Sequence, residues 1–127
     1  MLQLTEKDIK NISLIYFSKK EIKLFDNEKI RKKINGQWVT LKINMPDGAP
    51  DQIGWCANTG LFVGNEIKTI NDSVSKTQKV FFNVMIKDKC RLFITKQINQ
   101  DIIKITEWGT KEIEKIFIKD YMRYFRT

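Results

Sequence analysis

The sequence predicts an α+β chain, mostly β. It reads as a small antiparallel sheet or a partly open barrel of the OB or SH3 kind, with a short N-terminal helix and a further helix at the C-terminal end. Three observations carry this. Thr5 and Asp8 stand three apart ahead of an apolar stripe, Asn35-Gly36 separates two alternating segments, and apolar residues recur at period two through much of the remainder.

Thr5 with Asp8 has the form of a capping box, and Leu4 is placed to staple against Ile9, so a helix opens there with Ile9 and Ile12 on one face. From about Leu14 the pattern turns strand-like, with Ile22 and Leu24 alternating against Lys23 and Phe25. Asn35-Gly36 lies between Ile30–Ile34 and Gln37–Ile43, and both residues tolerate positive φ, which predicts a type I′ hairpin. A helix over 27–34 ended by Gly36 is the rival. Residues 44–60 hold both prolines and three of the six glycines and read as a long loop, with a tight turn at Asn58-Thr59-Gly60.

Residues 78–97 read as a hairpin about Lys87-Asp88-Lys89, because Val80, Phe82, Val84 and Ile86 alternate with Phe81, Asn83, Met85 and Lys87. Asp101–Thr106 suggests a further strand. The tail from Lys111 carries Ile113, Ile116, Phe117, Tyr121 and Tyr124 at helical spacing, with a strand through Ile116 and Ile118 as the alternative.

The 127 residues fit one domain, 1–127, which at this size buries roughly two-thirds of its unfolded surface without staples. No apolar run approaches the roughly 20 residues that span a bilayer, and the start lacks the form of a secretory signal. A cytoplasmic chain with two reduced cysteines, Cys56 and Cys90, is therefore expected. Net charge is +8, distributed as +4 over 1–34, −2 over 35–75 and +6 over 76–127. Nineteen lysines, nineteen isoleucines and two alanines suggest an AT-rich genome, such as that of a phage or mobile element, which inflates lysine whatever the function. The excess of bases over acids still favours polyanionic partners.

With no histidine there is no imidazole base, no Ser-His or Cys-His pair and no zinc site of the usual kind. Glycine-rich phosphate loops and nucleophile elbows are also missing from the sequence. Asp47 with Asp51, and Glu112 with Glu114, read as solvated acids. The residues therefore offer no catalytic set, no metal ligands and no cofactor site.

One constellation remains. If Val80–Ile86 faces a core, Lys79 and Phe81 face outward, and Arg91 and Phe93 join them across the hairpin. Trp38 and Lys42 do likewise on their own strand, with Lys32 and Lys33 in a dense basic cluster. Rings for bases and cations for phosphates describe a non-enzymatic nucleic-acid binder favouring single-stranded DNA or RNA. A protein inhibitor of the immunity, anti-toxin or anti-defence kind, meeting an acidic protein, is the first alternative. A histidine-free RNase is the second.

Overall fold

A computed structural model of the chain describes residues 3–27, 29–42 and 48–124, with backbone alone described at 29–32 and 40–42. Helix α1 spans Glu6–Ser18, and both arms of the capping box form: Asp8 N–H donates to Thr5 Oγ1 at 3.2 Å and Thr5 N–H to Asp8 Oδ2 at 3.1 Å. The helix runs through Leu14–Phe17, where a strand was expected. Ile9, Ile12, Ser13, Tyr16 and Phe17 all lie on its buried side, a 3–4 spacing that only a helix delivers to one face.

Strand β1 (Ile22–Asp26) buries Ile22 and Leu24. It is followed by a separate two-stranded ribbon, β2 (Lys29–Ile34) and β3 (Gln37–Lys42). Asn35 (φ 51°) and Gly36 (φ 82°) turn the ribbon with positive φ at both central positions, as a type I′ turn requires. Strand β4 (Gln52–Cys56) lies inside the segment expected to be loop, because Gln52, Gly54 and Cys56 alternate into the interior. A turn with Gly60 at φ 73° leads to β5 (Phe62–Lys68).

Helix α2 spans Lys76–Lys87, which corrects the hairpin expected over 78–97. Its start is fixed by Ser75 and Gln78, which form a second reciprocal capping box. Of the alternating set, Phe82 is buried, while Val80 and Val84 stand 65% and 56% exposed. Capping decided this segment against an apolar pattern that fits either period.

Strands β6 (Arg91–Gln97), β7 (Ile102–Glu107) and β8 (Ile113–Phe117) complete the sheet. The C-terminal helix expected from Lys111 is therefore β8 followed by two 3₁₀ turns, Ile118–Asp120 and Met122–Tyr124. Pairing with β7, from Thr106↔Ile113 to Ile102↔Phe117, overrides the helical spacing.

The six strands order β1-β4-β5-β6-β7-β8, and among the described residues β1 and β8 do not pair with each other. Every neighbouring pair is antiparallel except β5 and β6, which are parallel and joined by the α2 crossover. The mostly antiparallel sheet is as expected, whereas its strand order is beyond period-two alternation, which reports strands but not which of them pair.

The two helices cover opposite faces. Ile9, Ile12 and Phe17 of α1 share one core with Ile22, Leu24, Val63, Ile67, Phe93, Ile103 and Ile105. Alternation then turns Gly64, Glu66, Lys68 and Leu92 to the other face, where α2 brings Gln78 to Glu66 and Lys68. No described helix is long and apolar enough to cross a membrane. Cys56 and Cys90 are free thiols, as expected.

Candidate active site

Antiparallel pairing of β4 and β5 sets Gln52 opposite Asn65, so one step further Asp51 stands opposite Glu66. Residues directly opposite share a face, with Cβ atoms about 5 Å apart. Lys68 lies two residues beyond Glu66 and so projects from the same face. Two carboxylates and an ammonium thus meet at the end of the sheet where β5 and β6 finish.

Each group is held. Asp51 Oδ2 accepts the Ile67 N–H at 3.0 Å, which turns that carboxylate toward β5. Lys68 Nζ pairs with Glu66 Oε2 at 3.2 Å and donates to Gln78 Oε1 at 3.0 Å. Gln78 also donates through Nε2 to Glu66, while its Oε1 accepts the Ser75 N–H at 3.0 Å. The residue that caps α2 therefore also orients the acid and the lysine. Across the parallel junction Lys68 stands in register with Lys96, whose Nζ donates to the Asp72 carbonyl.

Burial makes these charges unusual. Asp51 is 5% exposed and Glu66 3%, whereas acids are almost never this enclosed unless paired or coordinating. Gly64 contributes by lacking a side chain. A Cβ there would sit 2.5 Å from Pro50 Cγ and 2.7 Å from Leu92 Cδ2, so only glycine lets Pro50 seat against β5 and deliver Asp51.

Behind the pair, on the α1 face, runs a buried polar ladder. Gln52 Nε2 donates to the Lys10 carbonyl at 3.2 Å and to Asp26 Oδ1 at 3.0 Å. Asn65 Nδ2 donates to Gln52 Oε1 at 3.0 Å, and Thr95 Oγ1 to Asn65 Oδ1 at 2.7 Å. This ties α1, β1, β4, β5 and β6 at the level of Asp51 and Glu66. A one-residue slip would break every bond in it, so the register that aligns the carboxylates is pinned.

The residues expected to bind nucleic acid do not share a sheet face. Lys79 is exposed and Phe81 half-buried, both on α2. Arg91 donates to Glu107 twice, at 3.0 and 2.8 Å, and lies over the Phe93 ring. Phe93 is core, 8% exposed and edge-on to Phe17. Trp38 is 63% exposed and stands opposite Lys33 in the β2–β3 ribbon. Positions Lys32 and Lys42 belong to that ribbon too, though their side chains lie outside the described residues. Four of the eight thus gather on one ribbon and the other four scatter.

Of the acid pairs, Asp51 is enclosed and not solvated, and Asp47 lies outside the described residues. Glu112 and Glu114 are exposed. Glu114 accepts from the Tyr16 hydroxyl and pairs with Lys20 at 3.2 Å, and the Tyr16 bond, then Lys20, holds its carboxyl below the usual range. Glu66, Lys68 and Gln78 escaped the sequence reading. Their signal is Glu66-Ile67-Lys68, opposite charges at period two at the end of an apolar strand, preceded by Pro50-Asp51 at the head of another.

No protein-family model and no curated protein matches the chain. Among solved structures it is similar to Archaeoglobus fulgidus Hjc, a Holliday junction resolvase from an archaeal hyperthermophile. The two are 12% identical over 92% of each chain, with a TM-score of 0.49. The expected non-enzymatic binder is corrected by the structure itself: its principal strand is a helix and Phe93 is sealed in the core.

Proposed function

We propose that this protein is a divalent-cation-dependent phosphodiesterase acting on nucleic acid, with its centre at Asp51, Glu66 and Lys68. The observation that carries the proposal is the enclosure of two opposed carboxylates with a lysine on one sheet face. Enclosed acids face each other at a cost unless positive charge lies between them, and Lys68 supplies one unit against two.

The donor set fits a hard cation. Carboxylate oxygens suit Mg²⁺ or Mn²⁺, whereas zinc would call for imidazole or thiolate. No group of three or more His, Cys, Asp or Glu that would cage a metal occurs among the described residues. Mg²⁺ takes one or two carboxylates and fills its remaining positions with water and substrate phosphate oxygens, so Asp51 with Glu66 would suffice.

Asp51 and Glu66 would hold the ion. When bound, such an ion polarises phosphoryl oxygens and acidifies coordinated water. Lys68, steered by Gln78, presents an ammonium to the non-bridging phosphate oxygens and neutralises charge that builds on them in the transition state. Hydrolysis forms one bond from water oxygen to phosphorus and breaks one ester P–O bond. The departing sugar oxygen takes up a proton from solvent. The chain's net charge of +8 draws the polyanionic substrate in.

The test uses fluorescent single-stranded, duplex and branched DNA, and RNA, with Mg²⁺ or Mn²⁺ and with EDTA. Cleavage is expected only with metal. Asp51→Asn and Glu66→Gln should each lower it by about 10²–10³-fold, the scale of losing one preorganised electrostatic group. No cleavage of any substrate by folded protein, or unchanged cleavage by both variants, would overturn the proposal.

A further inference from the structure

We propose that the β2–β3 ribbon is an arm that enters the major groove of duplex DNA and presents its backbone to the Asp51 edge. The delivery half of this inference rests on the phosphodiesterase reading; the binding half does not.

Composition is the first support. Residues 29–42 hold five cations (Lys29, Arg31, Lys32, Lys33 and Lys42) and no acid, whereas the chain as a whole has 15 acids to 23 bases. Register is the second. Lys29↔Lys42, Arg31↔Thr40 and Lys33↔Trp38 alternate with Ile30↔Leu41, Lys32↔Val39 and Ile34↔Gln37. Opposite residues share a face, so one side of the ribbon carries four of the five cationic positions together with Trp38.

Placement is the third support. Among the described residues the ribbon pairs only with itself and adds no strand to the main sheet. It is inserted between β1 and β4, and its root is bonded to the candidate centre: Asn27 N–H donates to the Asp51 carbonyl at 2.7 Å and Asn27 Nδ2 to the Pro50 carbonyl at 3.1 Å. Asn27 is 5% exposed, so this root is enclosed. A strand of nucleic acid held along the ribbon is thereby led toward Asp51.

Shape selects the ligand. A two-stranded ribbon fits the B-form major groove, about 12 Å wide, while the deep and narrow A-form groove of duplex RNA excludes it. Cations along one side meet the phosphates at the groove's walls, and each neutralised phosphate steepens the salt dependence.

Fluorescence anisotropy in EDTA, where no metal-dependent cleavage occurs, tests the arm with duplex DNA, duplex RNA and single-stranded DNA. Wild type should prefer duplex DNA. The variant Lys29→Ala/Lys33→Ala/Lys42→Ala, all on the cationic side, should lower the slope of log affinity against log salt by about 2.7, at about 0.9 per phosphate contact. Trp38→Ala should weaken binding without changing the slope. The comparator Lys104→Ala/Lys115→Ala, paired on β7 and β8, should retain the wild-type slope.

Equal affinity for duplex DNA and RNA, or an unchanged slope in the triple variant, would overturn the arm. Capture of poly-glutamate in place of duplex DNA would overturn it in favour of an acidic protein partner. If wild type cleaves while the triple variant binds normally, the arm fails and the phosphodiesterase stands. If the arm binds as expected and nothing is cleaved, the reverse holds.

Discussion

Replacing Lys68 with methionine tests the centre without any substrate. Methionine keeps most of the length and removes the charge. The Glu66 side chain is 4% exposed and that of Lys68 12%, so the ion pair lies where water cannot take over the lost contact. Breaking a buried pair from one side costs about 3–5 kcal/mol, because a carboxylate is left enclosed without its cation. Gln78 still donates to Glu66, which sets the expectation at the lower end, about 3 kcal/mol. At about 2.1 cal/mol/K of unfolding entropy per residue, 127 residues give about 0.27 kcal/mol/K, so the Tm should fall by about 11 °C.

Urea unfolding of EDTA-treated protein at pH 7, followed by circular dichroism, reads this as a lower midpoint at unchanged m. The double variant Glu66→Gln/Lys68→Met should recover most of the loss, since removing both charges leaves no enclosed ion. Mg²⁺ at a hundredfold its Kd should stabilise Lys68→Met by about 2.7 kcal/mol and leave the double variant less affected. A Lys68→Met protein within 1 kcal/mol of wild type, with no response to the second substitution, would refute the reasoning about this pair.

Gly54→Ala should destabilise by about 3 kcal/mol or more, since the new Cβ would lie 1.6 Å from the Lys23 carbonyl oxygen and push β1 off the sheet. Gly60→Ala, with open space but φ 73°, should cost only about 1 kcal/mol; equal losses in urea melts would contradict the packing argument. Glu114, its folded pKa depressed chiefly by the Tyr16 hydroxyl, stabilises the protein above its unfolded value of about 4.3, and that stabilisation is lost as pH falls through the folded value. Thermal melts from pH 7 to 3 should therefore show Glu114→Gln less stable by under about 1 kcal/mol at neutral pH and converging on wild type in acid; a gap unchanged at pH 3 would count against it.

Backbone signals were the most legible part of the sequence. Thr5 with Asp8, Asn35-Gly36 and Gly60 specify caps and turns within a few residues, and each forms where expected. Val80–Ile86 misled because seven residues of which six are apolar satisfy period two as readily as 3.6, and only Ser75 with Gln78 distinguished them. The tail misled in the opposite sense, since Ile113–Phe117 becomes a strand only through β7, a partner that spacing cannot reveal. Asp51 looked solvated for the same reason. Its enclosure depends on Glu66 being opposite, on Pro50 nesting against Gly64 and on the Gln52–Asn65–Thr95 ladder, none of which is local.

Asp51, Glu66 and Lys68 all fall within one 18-residue stretch, 51–68, closed by a single tight turn. Such a stretch can zip in about 1–10 μs, whereas the parallel neighbour β6 must wait for α2 to be built and folded back. During synthesis, therefore, Asp51, Glu66 and Lys68 can meet while still bathed in water, before α2 and β6 arrive to cover them. The carboxylates are brought together when their mutual repulsion is weakest, and the chain is not required to drag ions into a finished interior.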